Sequence, residues 1–205
     1  LGSDGKPFKT RSGDVVKLSA LLDEAIDRAS NLIAEKSSGL EANEKLDLAR
    51  MVGIGALKYG DLSNNRAKNY VFDWDRMVAM EGNTAPYLQY AIARINSLIR
   101  KSEIEKNDLA QTEFVVNSQF EKDLILEIGK FSETLEEVEL TLEPHRLCSY
   151  LFELAQKFTS FYENCPVLKE ENQQVRKSRL ALSFLCARTL KQGLELLGIE
   201  SPERM

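Results

Sequence analysis

The stretch PHRLCSYLFELAQKFTSFYENC, residues 144–165, decides the fold. Leu147, Leu151, Leu154 and Phe158 recur with helical spacing, which puts all four on one face of an α-helix predicted over about 144–163. Pro144 suits the first turn, where its missing N–H costs nothing. One apolar stripe needs a partner, and the chain supplies it further on. Leu180, Phe184, Ala187, Leu190, Leu194 and Leu197 repeat the pattern in a helix predicted over about 175–198. Gly198 then stands where a terminating C′ glycine belongs. Another helix is predicted at about 119–141. Amphipathic helices in this order form an antiparallel bundle, so the fold class is all-α.

Towards the N-terminus the helical pattern continues. Residues 102–118 are polar and read as a loop, and a long helix is expected from about Thr84 to Lys101. Thr84 or Asn83 can cap it, with Pro86 in its first turn. The segment NNRAKNYVFDWDRMVAMEGN, residues 64–83, is irregular and aromatic; Tyr70, Phe72 and Trp74 are expected to anchor a junction. A helix at about 42–59 carries Gly53 and Gly55, which cost propensity and imply close packing against a neighbour. Before it, Ser19 is a plausible N-cap for a helix through Leu21, Ile26, Ala29 and Ile33, ended by Ser37-Ser38-Gly39. Val15, Val16 and Leu18 form a short extended piece, and LGSDGKPFKTRSG, residues 1–13, is a flexible basic loop.

The chain has 205 residues, 43% of them apolar and 29% charged, enough for a real core in one or two domains. A formal charge of −5 argues against a non-specific nucleic-acid or membrane binder, but leaves room for a local basic patch that binds specific RNA. Cys148, Cys165 and Cys186 form no C-x-x-C pair and His145 is the single histidine, so no metal site is expected. Buried, reduced thiols of a cytosolic protein are the better account. No run approaches the ~20 apolar residues of a membrane-spanning helix. The first residue is Leu1 rather than methionine, which points to a fragment of a longer chain. No phosphate-binding glycine loop or serine nucleophile elbow is present. The carboxylates of TLEEVEL, residues 134–140, read as a solvated helix face.

Three blocks of sequence carry a family resemblance. GKPFKTRSGDVVKLSALLDEA, residues 5–25, resembles the loop holding the KMSKS signature of arginyl-tRNA synthetases. GALKYGDLSNNRAKNYVFDWDRMVAMEGNTAPYLQYAIARI, residues 55–95, resembles the passage from that family's catalytic domain to its anticodon-binding domain. SRLALSFLCARTLKQGLELLGIESPERM, residues 178–205, resembles its C-terminal helix and closing residues. The blocks stand in the family's order. The resemblance implies that residues 1–82 are the C-terminal part of a class I catalytic domain and residues 83–205 a DALR-type helical anticodon-binding domain.

It further implies an arginine–tRNA ligase as the parent enzyme, cytoplasmic (or organellar) and monomeric, with no membrane partner. That enzyme would use ATP with Mg2+, arginine and arginine-specific tRNA, and its activation step usually needs bound tRNA. Lys6, Lys9 and Arg11 match the signature loop and would contact ATP phosphates; Thr10 stands where the second lysine is expected. Read as residues alone, the same loop is a solvated basic segment. Tyr162, in FTSFYENCPVL, matches an aromatic that packs on anticodon-loop bases, and Met205 a terminal methionine lining the same pocket. Without the resemblance, Tyr162 reads as a core aromatic. Arg146, Lys157, Arg179 and Arg188 could reach phosphates or simply face solvent. Ile92, in YAIAR, replaces a histidine frequent in the family and marks a packing position. No segment resembles the HIGH signature, so the fragment is expected to bind tRNA without aminoacylating it and to hold no bound cofactor. Two other readings remain: a freestanding helical protein-interaction module, which predicts a contiguous exposed apolar patch, or the corresponding domain of another class I enzyme such as the cysteinyl one.

Overall fold

A computed structural model describes residues 17–36 and 40–205. Lys6, Lys9 and Arg11, the extended piece at Val15 and Val16, and the Ser37-Ser38-Gly39 stop all lie outside those residues. Among the described residues the chain forms nine helices and no strand: α1 (Leu18–Lys36), α2 (Ala42–Leu62), α3 (Trp74–Met77), α4 (Ala85–Ser102), α5 (Lys106–Ala110), α6 (Gln119–Gly129), α7 (Phe131–Thr141), α8 (His145–Asn164) and α9 (Gln173–Leu196).

The stripe of α8 is the centre of the bundle. Leu147, Leu151, Leu154 and Phe158 are all buried, and they meet Leu180, Leu190 and Leu194 of α9 and Leu88, Ile92 and Ile95 of α4 in one continuous core. Ile92 is therefore a packing position, as its apolar side chain suggests. Gly193 lets α8 come close: a Cβ there would stand 2.4 Å from Leu151 Cδ2. The cysteines are free and buried, and burial pushes the Cys148 thiol up to about 12. Thr84 caps α4 through its hydroxyl, and Gly198 ends α9 at φ 70°.

Three expectations need correction. Ser19 is no N-cap, because α1 already begins at Leu18. The loop at 102–118 contains α5, whose Leu109 is buried in the core and so gives the segment a reason to coil. The single helix expected over 119–141 is two, α6 and α7, interrupted at Lys130. Its continuous amphipathic pattern concealed the break. At the break the buried Tyr150 hydroxyl lies 3.1 Å from the Glu127 carbonyl and 3.3 Å from that of Ile128, and the Lys130 N–H also donates to Glu127, so the carbonyls released from the helical ladder share these two donors.

Helices α1 and α2 form a hairpin with its own small cluster, Ala29, Ile33, Leu48, Ala49 and Val52. Gly53 makes it possible, since a Cβ there would sit 2.4 Å from the Ala25 carbonyl oxygen. Gly55 serves a different neighbour: its missing side chain leaves room for Gln89 of α4. Gln89 is fully buried, and its Nε2 donates to the carbonyls of Met51 (3.2 Å) and Glu200 (2.7 Å). It thus ties α2, α4 and the C-terminal tail together. Arg50 and Glu200 add a two-pronged ion pair on the same seam, and the guanidinium holds the Glu200 carboxyl below the usual range.

The aromatic segment fastens this junction. The rings of Phe72 and Trp74 meet edge to face at 4.8 Å, and Arg28 of α1 lies over Trp74 while pairing with Asp75.

Candidate nucleic-acid interface

Tyr87, Tyr90 and Arg94 follow one another at helical spacing along α4, and Phe152, Thr159 and Tyr162 do the same along α8. The two rows meet. Tyr87 packs edge to face on Phe152 with centroids 5.7 Å apart, and its hydroxyl lies 3.3 Å from Thr159 Oγ1. Further along, the Arg94 guanidinium lies over the Tyr162 ring, 4.3 Å from its centroid. Phe158 supports the same ring from the core side at 6.0 Å. Tyr162 is partly buried, Arg94 is exposed, and Tyr90 is 46% exposed. Among the described residues Arg94 makes no ion pair, so its charge is free to meet an anion. A planar guanidinium on an aromatic face is also a platform on which a nucleobase can stack.

The expected cations are placed unequally. Arg188 is exposed and lies over Phe184 at 5.8 Å. Lys157 is exposed, with Asp123 3.7 Å away. Arg146 is held between Glu137 (2.6 Å) and Glu143 (2.7 Å), and it keeps the Glu143 carboxyl below the usual range. Arg179 is turned into the protein. Its Nε donates to Glu121 Oε1 (2.6 Å) and its Nη1 to Glu170 and to the Pro166 carbonyl. Burial works to raise the Glu121 pKa, but Arg179 and the N–H groups of Asn117 and Ser118 outweigh it and hold the carboxyl below the usual range. Glu121 also closes the capping box of α6 with Ser118. Arg179 thus builds the loop before α6 instead of a solvent-facing patch.

Met205 packs against the α1–α2 cluster, whereas Tyr162 packs against the bundle core. The structure therefore seats the two expected base contacts in different apolar clusters. Arg94 was not expected from the sequence. Its signal was there in the spacing of Tyr87, Tyr90 and Arg94 on the polar side of a helix whose other side is apolar. Among the described residues no three His, Cys, Asp or Glu side chains converge as a metal site, and no helix is long and apolar enough to cross a membrane.

Comparison with known proteins adds to this geometry. Residues 88–205 match the DALR anticodon binding domain, and residues 1–74 match the catalytic domain of class I (R) tRNA synthetases. The chain is 54% identical over all 205 residues to an arginine–tRNA ligase of Escherichia fergusonii, covering 36% of that protein, and 51% identical to one of Pasteurella multocida, again covering 36%. It spans about a third of the length of these curated relatives. Among solved structures, the arginyl-tRNA synthetase of Plasmodium falciparum superposes with a TM-score of 0.84 at 35% identity, over 93% of this chain and 34% of that one. The Thermus thermophilus enzyme gives 0.83 at 31% identity, over 94% and 33%.

Proposed function

We propose a function from one premise: the chain belongs to the arginyl-tRNA synthetase family, with a DALR anticodon binding domain over residues 88–205. It reads the anticodon loop of arginine tRNA on the seam between α4 and α8. The observation that carries this is Arg94 lying over Tyr162 at 4.3 Å, beside the exposed Tyr90. An unstacked base takes the guanidinium's place on the Tyr162 ring or stacks on the guanidinium itself, and Arg94 remains able to pair with a phosphate. Each such stack contributes roughly 1–3 kcal/mol. Arg188 and Lys157 supply weaker phosphate contacts, while the inward turn of Arg179 argues for leaving it out of that set. Met205, held by the hairpin cluster, contacts the loop from a second side.

The parent chain joins arginine to its tRNA, with ATP and Mg2+ as substrates of the activation step. Lys6, Lys9 and Arg11 stabilise charge on the ATP phosphates there. The boundary between catalytic tail and helical domain falls at residues 82–83, just before the Thr84 cap. The protein works as a cytoplasmic monomer. Family membership and the α4–α8 geometry disfavour the freestanding interaction module and the cysteinyl alternative.

The test is binding of this chain to an anticodon hairpin of arginine tRNA and to a non-cognate hairpin, at low and moderate salt. The chain is expected to prefer the cognate loop, and to keep that preference at moderate salt. Equal affinity for both hairpins would remove the reading function.

A further inference from the structure

Between the C-terminal end of α2, the aromatic segment, α3 and the start of α4 lies a cavity of about 330 Å³. That is at the small end of ligand sites, with room for one nucleotide and none for a duplex. Its walls combine an apolar floor with unspent polar atoms. Tyr59 and Met77 give the floor, and Gly60 lets Met77 lie against α2, since a Cβ there would stand 2.8 Å from Met77 Cε.

Asn64 donates its Nδ2 to the Gly60 carbonyl at 2.6 Å, which leaves its Oδ1 as an acceptor without a partner among the described residues. Asn83 is engaged through Oδ1, 2.6 Å from the Tyr59 hydroxyl, which leaves its Nδ2 as a donor. A free acceptor and a free donor in one cavity match the paired pattern along a nucleobase edge. At the rim, the exposed Arg76 guanidinium has no hydrogen bond or ion pair among the described residues, and it is suited to phosphate.

We infer that this junction cavity takes a single unstacked nucleotide of the bound tRNA, with its base edge on Asn64 and Asn83 and its phosphate on Arg76. The inference rests on the proposed tRNA-binding function and adds a second contact to it. The placement suits one continuous RNA. The Tyr59 hydroxyl also touches the Cys148 carbonyl near the start of α8, whereas Tyr162 is near its end. The helix between Cys148 and Tyr162 spans about 21 Å. A strand lying along the α4–α8 seam can therefore place a second nucleotide in this cavity, well away from the loop bases at Tyr162.

The experiment compares Arg76→Ala and Asn64→Ala with the unaltered chain on two RNAs: full-length arginine tRNA, and an anticodon hairpin trimmed to the loop and its closing pairs. Arg76→Ala is expected to weaken full-length tRNA roughly five- to tenfold and to lower the salt slope by about 0.7. Affinity for the trimmed hairpin stays unchanged. Asn64→Ala weakens full-length tRNA without changing the salt slope. Titration with adenosine 5′-monophosphate, cytidine 5′-monophosphate and inorganic phosphate, followed by the side-chain amide signals of Asn64 and Asn83, separates base recognition from phosphate binding. Movement of both amides with a nucleotide but not with phosphate supports the site. Equal losses on both RNAs, no loss on either, or amides that respond to none of the probes overturn it. Cognate preference of the unaltered chain on the trimmed hairpin reports the α4–α8 reading separately, so either proposal can fail alone. Binding of neither RNA overturns both.

Discussion

The α1–α2 hairpin and the α4–α9 bundle hold together by different means. The hairpin relies on close approach of two backbones. Ala25 and Ala29 are fully buried, Gly53 faces the Ala25 carbonyl, and the cluster beyond them is small. The bundle relies on interdigitated large side chains, with Phe158, Phe161, Leu151, Leu154, Leu180 and Leu190 almost fully enclosed. It adds the buried Glu121–Arg179 pair. A core of large side chains supports itself, whereas a contact between small residues depends on exact shape and gains support from what is packed around it. Here that support is Gln89, the tail residue Glu200 and Met205. The family's two matched regions meet across this seam, where α4, α2 and the tail are coupled both by these hydrogen bonds and by Tyr59 and Ile199, which enter the bundle core.

The largest break is expected in the bundle. Glu121→Ala removes the Nε partner of the buried Arg179, which keeps only Glu170 and the Pro166 carbonyl, and unties the Ser118 capping box, which should cost about 3 kcal/mol in chemical denaturation. Gly53→Val should cost about 1–3 kcal/mol through overpacking. That loss should be confined to the hairpin: hydrogen exchange would quicken in α1 and α2 and stay slow in α8 and α9. Exchange that rises equally everywhere would show that the two regions unfold as one. Gln89→Leu should come next, at about 1–2 kcal/mol for two lost hydrogen bonds, with tail residues losing protection first. The smallest effect belongs to Arg50→Ala, an exposed pair worth about 0–1 kcal/mol.

Acid sharpens the same contrast. The folded Glu121 pKa is depressed, so its stabilisation is complete above the unfolded carboxyl value of about 4.3. It is lost as pH falls through the folded value. The bundle should therefore weaken below about pH 4.3, and Glu121→Gln should flatten that part of the stability profile. An unchanged acid limb in Glu121→Gln would place the sensitivity elsewhere.

Periodicity made most of the bundle legible. Leu147, Leu151, Leu154 and Phe158 fixed α8, and the glycines at 53 and 55 announced close packing before their neighbours were known. The break at Lys130 was not legible, because Tyr150 satisfies the released carbonyls from a helix distant in sequence. Leu109 likewise folds α5 only because α9 offers it a core. At the candidate site, the resemblance pointed to Tyr162, whereas Arg94 was not expected, its one signal being the helical spacing with Tyr87 and Tyr90. The inward turn of Arg179 depends on Glu121, 58 residues away, and no local pattern marks it.

The most direct test of the α4–α8 seam is a double-mutant cycle on cognate hairpin binding, using Arg94→Ala, Tyr162→Ala and the double variant. If a base is read on the Arg94–Tyr162 stack, the two losses will not add, and the coupling will reach about 0.5–3 kcal/mol. Each single variant will also narrow the gap between cognate and non-cognate hairpins. Additive losses with the cognate preference intact would contradict the account and move the reading site off this seam.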